Sequence, residues 1–570
     1  MNSETIPLLP PSPKPHHNLA GLSPSRFRLV CFFVWFGAFL ASLDGTIVAT
    51  LLTPIGSYFD SSNRASWLGT SYLLSLCCFT PIYGRLSDLI GRRITYVGAL
   101  SLFFLGTILC AIAPSMEFLI FARCVAGMGG GGVQSIGVVI MTDLVSLRQR
   151  GLFQGYANIA FGLGGAVGGP IGGLISDTLG WRASFTFQLP LMIICASGIF
   201  ITLRHVHLPI KPTLINPQSI STSSSSNLPS SSSKSGFKAT LRRIDYLGSL
   251  TLVIALGSLL VSISIKTSSL QDDGTDYPWS DPLIFGLLLN SILFFVLFSL
   301  VETRWAAEPT LPFQLLSRRT PFSVAFTSFT MVFNQFSLLY NVPLFFSAVK
   351  LRPASISGAH LLPYSLVGPV GSVGMGWIIR HTGRYWWCSV IGGLIMVISA
   401  GMMCFWKENS PGWLSWVSVA PAGAGYAGVL TSSLVALMTE VTRQGRGEIA
   451  VATSMSYLFR TSGQVLGVSI SAAIVQSILQ KDLSRLITGP DASEIIYAIR
   501  HSTSSIANLP EIYRSAAVNA YQHALHVVFI VNFAFTIITV FGLALVKEED
   551  MPEQQVTPVT PTTVSRDDTA

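Results

Sequence analysis

Charge is scarce in this sequence. Asp, Glu, Lys and Arg make up 11% of its 570 residues, less than half of the roughly 25% that soluble domains carry. That shortage excludes an ordinary water-soluble globular protein. Cysteines are few and scattered. The eight sit mostly inside apolar runs, with no metal-ligand spacing and no readable disulfide framework. Catalytic constellations are missing too. The run GMGGGG (127–132) has the glycines of a nucleotide turn but lies inside an apolar stretch with no strand before it. Neither an enzyme nor a bound metal or other cofactor is expected. No cleavable signal peptide is expected at the start of this sequence. Residues 1–28 are polar and Pro-rich, so the first apolar run is expected to act as its own insertion signal.

Apolar sequence is what the chain has in abundance: half of its residues are hydrophobic. Runs of about 20 apolar residues, the length a helix needs to cross a bilayer, recur near 29–51, 67–86, 94–113, 118–140, 152–176, 184–203, 245–265, 282–301, 322–348, 357–379, 386–405, 413–438, 449–478 and 524–546. The expected fold is an all-α polytopic membrane protein of about fourteen spans.

An even number of spans puts both termini on one side. Arg85, Arg92, Arg93, Arg148, Arg150, Arg318, Arg319, Arg380 and Arg384 fall in alternate loops, whereas QDDGTDYPWSD (271–281) is acidic. Basic loops stay cytosolic, so the termini are expected there. The +8 net charge then belongs to membrane topology, and no nucleic-acid partner is expected.

The expected organisation is a cytosolic tail (1–28), a six-helix bundle (29–203), a Ser-rich linker (204–244), two extra spans (245–301), a second six-helix bundle (302–546) and a tail (547–570). A large loop at 480–522, with room for short surface helices, is expected on the far side. The linker contains STSSSSNLPSSSSKS, too polar to build a core.

Against this apolar background one carboxylate stands out. Asp44 interrupts FLASLDGTIVATLL (39–52), where an Asp costs roughly 2.5–3.5 kcal/mol at the centre of a span. Intramembrane ionisable groups are functional candidates by default. One reading is a proton or cation site facing a cavity. The other is an Asp bonded to Thr46 or to backbone at a helix break beside Gly45. Arg123 in the fourth run is the candidate partner, because the two lie at about 12 and 8 Å from the far ends of their spans at about 1.5 Å per residue. Gly127, four residues on, shares its face and permits close packing.

The chain repeats itself. GRLSDLIGRR (84–93) follows the second span and GWIIRHTGRY (376–385) the tenth, aligning Gly84 with Gly376, Asp88 with Arg380, Gly91 with Gly383 and Arg92 with Arg384. Many secondary transporters are built from such repeats. Within the first copy, Asp88 suits the N-terminus of the span beginning near 449, where the helix dipole favours an anion. Arg92 suits Asp143 at the near end of span four. Together they are expected to tie the two halves on the cytosolic side. In the second half Asn334, Gln335, Tyr340 and Asn341 share one apolar run, and Arg460 and Gln464 share a helical face. They either line a cavity or bond across helices.

GRLSDLIGRR resembles the loop motif of the major facilitator superfamily, and the chain resembles its fourteen-span drug:proton antiporter branch. LASLDGTIVATLL is similar to that branch's span-one motif, FARCVAGMGGGG (121–132) to its span-four Arg motif, and GGAVGGPIGG (164–173) to its span-five antiporter motif. VETRWAAEPTLPFQLLSRR (301–319) resembles the stretch after its two extra spans. LDGTIVAT and WRASFTFQLP (181–190) look most like fungal vacuolar basic amino acid transporters. The sequence departs from the pattern at Gln188 and Tyr156, where Asn and Gly are usual. The resemblance implies two six-helix bundles and a part for Arg123 in proton coupling. It also implies gating by Gly84, Arg85, Asp88, Gly91, Arg92, Arg93 and Asp143, and an antiporter motif of Gly165, Gly169, Pro170, Gly172 and Gly173.

SETIPLLPPS (3–12) places Glu4 ahead of Leu8 and Leu9, the spacing of an acidic dileucine signal read by sorting adaptors. The expected function is proton-coupled antiport of basic amino acids into the vacuole by alternating access, with a cationic amino acid or drug, protons and the lipid bilayer as partners. The rival is a plasma-membrane exporter of drugs or toxic metabolites. A non-transporting receptor on the same fold is disfavoured by tails without folded domains.

Overall fold

The computed structural model describes residues 22–145, 147–204, 246–268, 277–305, 313–443, 449–488 and 492–549. The dileucine stretch with Glu4, Leu8 and Leu9, the Ser-rich linker and the C-terminal tail lie outside them.

Each predicted span becomes a helix. The first six are α1 (Pro24–Tyr58), α2 (Trp67–Ile90), α3 (Arg92–Ala111), α4 (Met116–Leu144), α5 (Leu147–Leu179) and α6 (Trp181–Thr202). Two more, α7 (Tyr246–Ser268) and α8 (Pro282–Leu300), precede α9 (Arg319–Ala348), α10 (Leu362–Thr382), α11 (Trp386–Met403), α12 (Gly412–Arg443), α13 (Ile449–Leu486) and α14 (Glu511–Ala544). Thirteen of them are long and apolar enough among the described residues to cross a membrane. The remaining one, α2, is 24 residues long, about 36 Å at 1.5 Å per residue.

Local chemistry sets the ends. Pro24 and Pro282 sit in the first turns of α1 and α8, where a missing N–H costs nothing. Ser115 caps α4 by accepting from the Phe118 N–H, and Asp281 caps α8 by accepting from Leu283. Gly91 and Gly383, aligned in the internal repeat, both take positive φ, 89° and 70°, as the chain turns from α2 into α3 and from α10 into α11. A side chain there would be strained, so the repeat preserves a backbone requirement.

Within the far-side segment expected at 480–522 much of the chain is helical. α13 runs on to Leu486, α14 begins at Glu511, and Ala492–His501 forms a helix between them. The amphipathic ends of these spans continue past the apolar core that hydropathy detects.

Pairing of the helices is itself repeated. α1 packs on α4, α5 and α6; α2 and α3 pack on α4; α3 packs on α6. Add eight to each number and the contacts recur: α9 on α12, α13 and α14; α10 and α11 on α12; α11 on α14. The bundles meet along two seams, α2 against α13 and α5 against α10, which the same offset relates. Helix α7 pairs with α8 and leans on the first seam, where Trp67 Nε1 donates to Ser264 Oγ at 2.7 Å. The outer surface is apolar. Ile292 on α8 is 61% exposed and Phe285 60%, as helices facing hydrocarbon require.

Candidate functional site

Asp44 and Arg123 meet in the interior of the first bundle. Arg123 Nη1 donates to both Asp44 oxygens, at 2.8 and 3.1 Å. Its Nε donates to the Leu68 carbonyl of α2 at 3.2 Å. The guanidinium carbon stands 4.3 Å from the centre of the Tyr72 ring, a cation–π distance. Asp44 is 0% exposed and Arg123 1%. Helices α1, α2 and α4 thus each contribute to one charged cluster.

The alternative reading of Asp44 fails on two observations. Thr46 Oγ1 donates to the carbonyls of Ser42 and Leu43 rather than to Asp44, and α1 runs unbroken through Gly45. Nor does Asp44 face an open cavity, since its carboxylate is enclosed. The close approach of α2 to α4 depends on Gly127, where a Cβ would collide with the Tyr72 backbone and the Ser75 hydroxyl. Tyr340, from α9 of the second bundle, fills the space beside Gly69 on α2, one residue from the carbonyl that holds Arg123. The cluster is therefore roofed by the opposite bundle.

At the near end Arg92 Nε donates to Asp143 at 2.9 Å and Nη1 to Ser87 Oγ at 2.6 Å. Arg93 stacks 3.9 Å over the Phe200 ring on α6. The surroundings of Gly84 and the side chains of Arg85 and Asp88 lie outside what the structure describes. Arg92 and Asp143 belong to α3 and α4 of the same bundle, so their bond does not itself tie the halves together. It fixes the α2–α3 turn instead.

The glycine motif of α5 has two working faces. Gly164, Gly168 and Gly172 face α1, where a Cβ on Gly172 would meet Ile47 at 2.8 Å. Gly169 and Gly173 face the second bundle, against Gly358 and Ser355 of the short helix Ala354–Ala359 that precedes α10, while Gly165 sits between Ser42 of α1 and Ser365 of α10. Small residues let helices approach closely, and here they do so on both sides of one helix. Pro170 lies within α5, which continues as helix through it.

The second-half candidates separate. Asn341 Nδ2 donates to the Ser337 carbonyl and to Ser471 Oγ on α13, an interhelical tie. Asn334 lines a small cavity inside the second bundle with Asn532 and Ser399. Gln335 stands beside Tyr364, outside hydrogen-bond geometry. Arg460 lies against Tyr426 and Tyr457, with Gln464 one turn on.

Sequence reasoning missed Tyr72, the Leu68 carbonyl and Tyr426. No residue-type signal marks a carbonyl or a tyrosine in an apolar run. Tyr457 was findable, three residues before Arg460 on the same face.

Comparison with known proteins follows the same lines. The family described as Major Facilitator Superfamily matches residues 34–468. The multidrug resistance protein fnx1 of Schizosaccharomyces pombe is 38% identical over 89% of this chain and 90% of its own. The vacuolar membrane amino acid uptake transporter fnx2 of the same yeast is 33% identical over 88% and 81%. Vacuolar basic amino acid transporter 1 of Saccharomyces cerevisiae is 31% identical over 80% and 79%. Among solved structures, a bacterial homolog of the human lysosomal transporter Spinster superposes with a TM-score of 0.58 at 14% identity, covering 92% of this chain and 98% of that one. That likeness concerns the fold. With a family match spanning most of the chain, close relatives over nearly its full length and two bundles of repeated pairing, this chain belongs to the Major Facilitator Superfamily, as a multi-pass membrane secondary transporter and not an enzyme.

Proposed function

We propose that the protein is a proton-coupled antiporter that moves basic amino acids into the vacuole by alternating access. The observation that carries the coupling is the enclosed Asp44–Arg123 pair. A buried ion pair is weak evidence for stability, because desolvation offsets its attraction. Its retention between α1 and α4 is better explained by a switch. A proton on Asp44 cancels its charge and leaves Arg123 to find other partners, which changes how α1, α2 and α4 sit beneath Tyr340. The near-end turn held by Arg92 and Asp143 and the two seams are the parts that such a change would move. Asp88 is proposed as the arm that reaches the second bundle.

The relatives named for vacuolar amino acid transport, at 33% and 31% identity, support the substrate and the compartment. The dileucine spacing of Glu4, Leu8 and Leu9 agrees with that compartment and calls for a sorting adaptor. In an acidic vacuole each pH unit supplies about 1.4 kcal/mol per proton, a tenfold concentration ratio. A second reading, export of drugs or toxic metabolites across the plasma membrane, is favoured by the relative named for multidrug resistance at 38% identity.

Uptake of radiolabelled lysine, arginine and histidine into energised vacuoles, with and without the protein, separates the two. Protein-dependent uptake that collapses with a protonophore is expected. Absence of the protein from vacuoles, with drug sensitivity on its deletion, would move the assignment to the exporter.

A further inference from the structure

Among the described residues, Arg123 and Arg460 lie well inside spanning helices, and they are treated differently. Arg123 is neutralised by Asp44. Arg460 lies on α13 next to Thr461, which reaches Cys77, ten residues into the 24-residue α2, and so stands near the middle of the helices that cross the membrane. Among the described residues no carboxylate pairs with it. Its surroundings are the Tyr426 and Tyr457 side chains, with the guanidinium carbon 4.8 Å from the Tyr457 ring centre. Its Nε is buried without a hydrogen-bond partner, and so is Gln464 Oε1 one turn along. The Tyr364 hydroxyl on α10, whose ring lies 6.4 Å from that of Tyr426, is likewise unpartnered.

The helical wheel says where this cluster points. At 100° per residue, Gly463 and Gly467 of α13 lie against α9, while Ser469 bonds Thr70 and Thr461 reaches Cys77 on α2. The face with Tyr457, Arg460 and Gln464 falls between those two sides. It turns toward the seam where the bundles meet, the place where substrate sites of repeat-built transporters lie.

We infer that Arg460 and Gln464, with the hydroxyls of Tyr426, Tyr457 and Tyr364, form a subsite for the zwitterionic head of an α-amino acid. An uncompensated guanidinium takes a carboxylate in its planar fork, with tyrosine hydroxyls as further donors. The orphan Gln464 oxygen one turn away is an acceptor for the adjacent ammonium. A bare cation meets the Gln464 oxygen but also the like-charged guanidinium beside it, and a simple anion leaves Gln464 unsatisfied. This subsite rests on the transporter reading. It deepens that reading by requiring the substrate to carry a carboxylate, whatever its side chain.

Binding to the purified full chain in lipid nanodiscs tests the inference with two pairs of probes. L-Arginine is compared with agmatine, and L-leucine with isoamylamine; each second member lacks only the carboxylate. The wild type is expected to prefer the carboxylate-bearing member of a pair by about tenfold or more, equivalent to about 1.4 kcal/mol. Arg460→Gln, shown folded by monodisperse elution, should bind that member no better than its amine. Arg460→Lys keeps the charge without the fork and should narrow the preference. Preference in the leucine pair alone supports the carboxylate subsite while defeating the basic amino acid assignment. No preference in either wild-type pair, or a preference undiminished in Arg460→Gln or Arg460→Lys, overturns the subsite.

Discussion

Asp44 and Arg123 show what a buried charge demands of its neighbours. Taking one partner away strands the other in a low-dielectric interior, at a cost of about 3–5 kcal/mol. Asp44→Ala should therefore lower the melting temperature sharply, and so should Arg123→Ala. The double replacement should cost less than the sum of the two, because it strands nothing. Asp44→Asn keeps the shape and loses the titratable group. Its expected signature is a membrane-inserted protein without uptake driven by a pH gradient. Normal gradient-driven uptake by Asp44→Asn vesicles would remove Asp44 from the coupling mechanism. The residue types were legible as candidates because charge inside an apolar run is conspicuous. Their bond was not, since an interhelical contact depends on how two helices are rotated against each other.

Among the elements, the far-end helix Ala492–His501 carries a pH-sensitive contact. His501 stacks on Tyr497 with ring centres 3.8 Å apart, and its Nδ1–H donates to the Tyr497 carbonyl at 2.8 Å. Burial, more than any other influence, holds this imidazole below its usual value; Arg500 and Arg64 push the same way, while the Tyr497 carbonyl and Asp60 oppose them. A lowered value means the packed helix prefers the neutral ring. Its stabilisation is complete above the ordinary His value of about 6.5 and is lost as pH falls through the lowered one. Thr503 next to it donates to Ser62 Oγ beyond the end of α1, so the contact belongs to the far-end closure. Hydrogen-exchange protection in Ala492–His501, taken relative to the intrinsic exchange rate at each pH, should fall as pH falls from about 7 to about 5. His501→Gln should flatten that dependence. An unchanged profile in the variant would assign the pH response to another group, such as the His523–Asp482 pair at 2.6 Å.

For the molecule as a whole, alternating access requires the two seams to part and re-form. On the α2–α13 seam Thr70 and Ser469 have their hydroxyls 2.9 Å apart, close enough for the side chains of a cysteine pair to reach each other. Thr70→Cys combined with Ser469→Cys should stop transport under oxidation and regain it on reduction. Transport that survives a formed cross-link would mean that this seam does not open during the cycle. The α5–α10 seam obeys the same logic through packing. Gly169 and Gly173 bring α5 against the backbone of the short helix Ala354–Ala359 just before α10, and α5 presents Gly168 and Gly172 to α1. The motif was readable in one dimension as small residues. Its division into one face for each bundle was not.

By itself the sequence determined the positions of the spans, the internal repeat and the positions of its unusual charges. Each is a one-dimensional property: apolar length sets a helix, glycine sets a turn, and a polar residue in hydrocarbon has an energetic cost wherever it points. Only the tertiary structure decided that Asp44 is paired rather than open, that the Arg92–Asp143 bond stays within one bundle, and how far α13 and α14 run into the far-side segment. It also decided that Arg460 has no carboxylate among the described residues. Those outcomes depend on the rotation and sliding of rigid helices against one another. Rotation is set by where glycines and serines allow backbones to approach, summed over many neighbours at once, and no single stretch of sequence contains that sum.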